Sequence, residues 1–85
     1  MYYVYVLRSQ KDHKLYIGFT ADLKRRFEEH NGGVSPSTKG RRPFDLIYYE
    51  ACRSRADAMH REKYLKTTYG HRYLKSRLKR DSDEG

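Results

Sequence analysis

Tyrosines stand at positions 5 and 16 of this 85-residue chain, one closing Tyr3-Val4-Tyr5 and the other opening Tyr16-Ile17-Gly18. A strand tyrosine ordinarily packs in a core. These two flank a glycine, and a glycine inside a strand often marks close approach by a ligand or another backbone. Further along come Arg26 and His30, four apart, and Glu62 within "AMHREKYLK". Two phenols, a guanidinium, an imidazole and a carboxylate are groups that move protons and hold ions. They do so only if the fold turns them towards one another.

Helical phase speaks for the last three. Leu23, Arg26, Phe27 and His30 fall at i, i+3, i+4 and i+7, one stripe of an amphipathic helix. Lys24, Arg25, Glu28 and Glu29 are expected to point elsewhere. On a later helix Ala58, Glu62, Leu65 and Tyr69 share a stripe, with Glu62 in its middle. A carboxylate on an apolar face is costly to desolvate unless a cation meets it. A structural ion pair with Arg26 is one account; a functional role for Glu62 is the other. For the tyrosines the hairpin decides. They share a face only if the connecting loop has an even number of residues. A loop of residues 10–13 puts Tyr5 opposite Gly18 and diagonal to Tyr16, with open space expected beside both hydroxyls. The bland alternative makes both tyrosines plain core residues.

The elements that must position these groups follow from propensity and punctuation. Residues 2–9 and 14–20 are β-rich runs joined by a polar turn. A helix over 22–31 has Thr20 or Asp22 near its cap and Gly32-Gly33 after its end. Residues 32–43 form a Gly-, Ser- and Pro-rich loop whose basic tip is Lys39, Arg41 and Arg42. A third strand spans 44–52. Ser54 and Asp57 resemble a capping box that opens a helix to about residue 69. Gly70 is expected to stop it, with a short third helix over 71–80 and an acidic, disordered tail at 81–85. No repeat or linker interrupts the chain, so a single domain over 1–80 is expected.

Composition narrows the function classes. The net charge of +8 falls on both halves and favours an anionic partner, nucleic acid first and a membrane surface second. No apolar run approaches the roughly 20 residues needed to span a bilayer, and no signal-peptide pattern opens the chain. The single cysteine, Cys52, excludes an internal disulfide and points to a cytoplasmic setting. It reads as a small apolar filler rather than a nucleophile. His13 belongs to the turn, and His60 and His71 to solvent; His60 and Glu62, two apart on a helix, cannot share a metal. From Arg61 to Arg80 eight Lys or Arg accompany one acid, Glu62. That run reads as a phosphate-tracking surface or as a merely solvated basic helix pair.

Taken together, the set resembles the GIY-YIG nuclease family, most of all its small stand-alone bacterial members. It is similar more distantly to the nuclease domain of bacterial excision repair and to homing endonucleases. Tyr16-Ile17-Gly18 matches the second half of the signature letter for letter. Tyr3-Val4-Tyr5 keeps only the final tyrosine of the first half. Arg26 matches the arginine of the family's first helix, His30 the aromatic or histidine one turn on, and Glu62 the metal-binding glutamate. The family's late asparagine has only Ser76 as a nearby counterpart. The resemblance implies an α/β (α+β) fold, a three-stranded antiparallel sheet of order 2-1-3 flanked by helices.

It also implies a metal-dependent endonuclease that hydrolyses a phosphodiester bond, with DNA favoured over RNA. Glu62 would hold one Mg²⁺ or Mn²⁺, Arg26 would clamp the phosphate, and a tyrosine, Tyr5 or Tyr16, would take the proton from water. His30 would bond the phosphate or a tyrosine hydroxyl. Lys39, Arg41 and Arg42 in the loop, with Lys66, Lys75 and Arg77 in the helices, are the expected nucleic-acid contacts. A non-catalytic nucleic-acid-binding module on the same fold is the rival reading, and a protein-interaction domain the third.

Overall fold

The computed structural model describes residues 1–79, so the tail expected at 81–85 lies outside the described residues. Strands β1 (Tyr2–Ser9), β2 (Leu15–Thr20) and β3 (Phe44–Cys52) form one antiparallel sheet of order β2-β1-β3. Helix α1 (Leu23–Asn31) covers one face; α2 (Arg55–Leu65) and α3 (Thr68–Arg77) cover the other. A single 3-10 turn, Lys39–Arg41, interrupts the loop before β3. Fold class and strand order are as the sequence implied. No helix among the described residues is long and apolar enough to cross a membrane.

β1 is the middle strand, and its sequence says so. Val4, Tyr5, Val6 and Leu7 are all buried, an unbroken apolar run in place of alternation, because both faces are covered. Val4 and Val6 pack with Ile17, Ala58, Leu65 and Leu74 under the α2/α3 layer, while Tyr5 and Leu7 join Phe44 beneath α1. The hairpin closes through Ser9 N–H donating to the Lys14 carbonyl, a four-residue loop. The even count sets the register at Tyr5 opposite Gly18 and Leu7 opposite Tyr16. A bulge in β3 at Ile47 shifts its pairing between Val6 and Leu7.

The caps mostly match their residues. The Asp22 carboxylate accepts from Arg25 N–H at the start of α1, and the Ser54 hydroxyl from Asp57 N–H at the start of α2. Gly70 does not. It is not a stop but the third residue of α3, whose cap is Thr67. A Cβ at Gly70 would fall on the Tyr64 carbonyl and the Leu65 Cα. Glycine is there so that α3 can cross the end of α2 in close contact, and Tyr69 consequently faces solvent instead of extending the Glu62 stripe. Gly70→Ala is expected to cost about 3 kcal/mol, because backbone and not a flexible side chain must yield. A thermal melt would read that as a fall of roughly 12–24 °C.

Candidate active site

Tyr5 is only 2% exposed, and its ring crosses from β1 over β2. A Cβ at Gly18 would lie 2.5 Å from the Tyr5 hydroxyl oxygen and 2.7 Å from Cζ. The space that the sequence left open for a ligand is therefore filled by the end of the Tyr5 ring itself. Gly18 is needed by the phenol. Above it, the inward stripe of α1 delivers Arg26 and His30 as its phase required.

The hydroxyl sits in a defined hydrogen-bond chain. Tyr5 Oη lies 2.9 Å from His30 Nε2, and His30 Nδ1 lies 2.7 Å from Thr38 Oγ1. Thr38 in turn donates to the Ser35 carbonyl, 3.5 Å away, which uses its single proton. That direction assigns the imidazole hydrogen to His30 Nδ1, donating to Thr38, and leaves Nε2 to accept from the Tyr5 hydroxyl. The Arg26 guanidinium lies near enough to Tyr5 Oη to favour its charged form. With its proton given to His30, the phenol oxygen keeps its lone pairs for a water and for Arg26. Thr38 is fully buried, and nothing in the Gly-, Ser- and Pro-rich loop singled it out.

Electrostatics follow burial. Burial raises Tyr5 above its usual range, against the Arg26 hydrogen bond; the nearby Tyr16 and Glu62 charges add to the rise. The resting group is a neutral phenol. Arg26 is held above its ordinary value: burial opposes its charge, but bonds to Tyr5 and Glu29 prevail. Burial first, and then the Arg26 charge, push His30 down to about 4. The unfolded chain takes up this proton near the reference value of about 6.5, the folded chain only near 4. Since the folded value is the lower, the imidazole's contribution is whole above about pH 6.5 and is lost as pH falls towards 4. The loss is about 3 kcal/mol. Urea unfolding across that window checks it, and His30→Gln is expected to remove this part of the acid slope.

Tyr16 packs its ring against His30, centroids 4.9 Å apart and edge-on, and 6.4 Å from Tyr5. Glu62 comes from α2 between buried Ala58 and Leu65, with its side chain 17% exposed. Its partner is Lys66 Nζ at 3.3 Å. Arg26 bonds instead to Glu29 at 3.1 Å, and Arg25 reaches the same carboxylate. The Glu62–Arg26 ion pair, one of the two accounts the sequence left open, is not made. Glu29, read as pointing away, is the acid that meets Arg26, and its i+3 spacing was the overlooked signal. Glu62 keeps a partly buried carboxylate near enough to act on Tyr5.

No group of three or more His, Cys, Asp or Glu side chains that could hold a metal occurs among the described residues. A lone carboxylate fits a hard cation that keeps most of its waters and takes phosphate oxygens; it does not fit a closed zinc site.

The basic residues divide. Lys39 and Arg42 are exposed beside a groove that also meets Lys11 and Asn31, with the Arg42 guanidinium on the Lys39 carbonyl. Arg41 is spent on Asp12 at 3.0 Å and lies over the Phe44 ring. Lys75 lines a second groove with His13 and His71 on the α3 side of the sheet, and Arg77 and Ser76 are exposed nearby on α3. Arg61, counted in the basic run, forks onto Glu50 at 2.9 and 3.0 Å. Glu50 also accepts from Tyr48, which meets Tyr73. That network ties β3 to α2 and α3, and it withdraws Arg61 from the surface charge.

A family model described as the GIY-YIG catalytic domain matches residues 1–76. A UPF0213 protein of Haloquadratum walsbyi is 34% identical over 85 residues, covering 99% of this chain and 89% of the relative. One from Clostridium perfringens is 42% identical over 67 residues, 78% of this chain and 71% of its own. The solution NMR structure of a UPF0213 protein from Bacillus halodurans is similar with a TM-score of 0.56 and 35% identity. That match covers 89% of this chain and 84% of the other.

Proposed function

The chain belongs to the GIY-YIG catalytic-domain family, and from that premise we propose that it is a divalent-metal-dependent endonuclease acting on DNA. One observation carries the reading: the Tyr5 phenol lies beside the Arg26 guanidinium and 2.9 Å from Nε2 of a neutral imidazole, His30. In the proposed reaction a water attacks phosphorus. Its proton passes to Tyr5 Oη as the phenol's own proton passes to His30 Nε2. The new P–O bond forms as the bond to the leaving sugar oxygen breaks, and that oxygen takes a proton from solvent. The relay avoids a free phenolate, which the raised Tyr5 value disfavours. Arg26 lowers the basicity of His30 until a phosphodiester's negative charge offsets it, so proton transfer is coupled to substrate binding. Arg26 itself stays charged at any working pH and grips the phosphate. Thr38 fixes the imidazole tautomer. Tyr16 buttresses the His30 ring and presents its hydroxyl to the water. Glu62 would hold the divalent ion, which supplies charge neutralisation at the phosphate.

Cleavage assays over single-stranded, duplex, branched and damaged DNA and RNA, with Mg²⁺ or Mn²⁺ and chelator controls, test the reading. Metal-dependent cutting of DNA supports it; binding without cutting under every condition gives the chain to the non-catalytic rival. The exposed cations Lys39, Arg42, Lys66, Lys75 and Arg77 are expected to make affinity fall steeply with salt, each neutralised phosphate releasing about 0.9 counterions. A flat salt dependence would remove nucleic acid as the partner.

A further inference from the structure

On the side of Tyr5 away from Gly18, the sheet face under α1 lies open. A groove of about 590 Å³ runs between the first turn of α1 and β3, lined by Tyr3, Leu46, Tyr49, Leu23 and Phe27 with Lys24 at its rim. That volume lies within the roughly 300–1,000 Å³ of small-ligand sites. Tyr49 is directly opposite Tyr5 across the β1–β3 pairing, and Tyr3 shares the Tyr5 face two residues earlier. Their rings meet edge-on with centroids 6.2 Å apart, which steadies Tyr49 although it is 54% exposed.

We propose that this groove is a base-stacking subsite that takes one unpaired nucleobase beside the phosphodiester offered to Tyr5 and Arg26. The proposal deepens the nuclease reading and rests on it. Aromatic platforms accept any base by its π-face, whereas a base within an intact duplex is already stacked on both sides. The substrate is therefore a single strand, or a nucleotide extruded from a duplex. Continuity favours a nucleic acid over an apolar protein segment. The platform lies one strand spacing, about 4.8 Å, from the strand that carries Tyr5. Lys24 stands where the attached backbone would pass, on a chain of net charge +8. Asp22, the acid at this rim, is turned to the Arg25 N–H as the helix cap.

The chain has no tryptophan, so Tyr49→Trp installs a single reporter in the groove. Its fluorescence is expected to be quenched by single-stranded oligothymidylate without metal, and far less by a duplex of equal length. Tyr49→Ala is expected to lower the single-strand-to-duplex affinity ratio by between about 5-fold and 100-fold. Oligothymidylate that binds without quenching overturns the subsite and leaves the nuclease reading intact. Quenching in a protein that cuts no substrate keeps the subsite and removes the nuclease reading. Quenching that tracks protein concentration and self-association, with no response to DNA, assigns the groove to a second copy of the chain and overturns the proposal. Should the tryptophan variant not fold, the affinity ratio of Tyr49→Ala decides, and an unchanged ratio overturns it.

Discussion

Tyr5→Phe is expected to lose cleavage by roughly 10²–10⁴-fold, the range of a positioned acid–base group, while remaining folded. The ring keeps its place over Gly18, so little packing is lost. The hydroxyl's removal leaves His30 Nε2 buried without its partner. That should cost about 1–3 kcal/mol. Tyr16→Phe is the informative companion. Among the described residues the Tyr16 hydroxyl has no hydrogen-bond partner, so its loss is expected to leave the melt unchanged and to slow cleavage less than Tyr5→Phe. Single-turnover cleavage beside thermal melts separates the two tyrosines. A Tyr5→Phe protein that cuts like the parent would end the proton relay proposed for Tyr5 and His30.

Glu62→Gln is expected to abolish metal-dependent cleavage at almost no cost in stability. The expectation turns on the partner. Had it been the partner of a fully buried cation, this carboxylate would have been worth several kcal/mol, because its loss strands the positive charge. Its actual partner, Lys66, is 54% exposed and one helical turn away, a pair worth about 0.3–0.5 kcal/mol. Removing a negative charge beside bound phosphate should also tighten DNA binding in the absence of metal. Melts and binding curves for the variant with and without Mg²⁺ check both halves. A variant that still cleaves with Mg²⁺ removes Glu62 as the metal ligand, and one that melts far below the parent assigns it a structural task.

What could be read from the sequence was what neighbours along the chain decide. The Tyr5–Gly18 register needed only the parity of one loop, and the inward turn of Arg26 and His30 needed only helical phase. Distant meetings stayed out of reach. Thr38 finds His30 because a loop folds under α1, and Glu50 finds Arg61 across two elements. Gly70 has the letter of a helix stop but the task of a helix crossing, and only the arrival of α2 distinguishes them. The open space beside the hydroxyls was misread for a similar reason. Spacing shows that a side chain is missing at Gly18, but not which neighbour claims the room.

β1 is hydrogen-bonded along both edges and buried on both faces, and the reagent Tyr5 is mounted on it. Thr38, which holds the imidazole, hangs from a loop tied to the hairpin turn by scattered turn and side-chain bonds, with no strand ladder of its own. The two halves of the relay therefore belong to different rungs of local opening. Amides of β1 should exchange with solvent hydrogen only on global unfolding, and those of the loop at far lower free energy. Warming towards the melt would then free His30 from its orientation while Tyr5 was still locked in place, so activity should fade before the protein does.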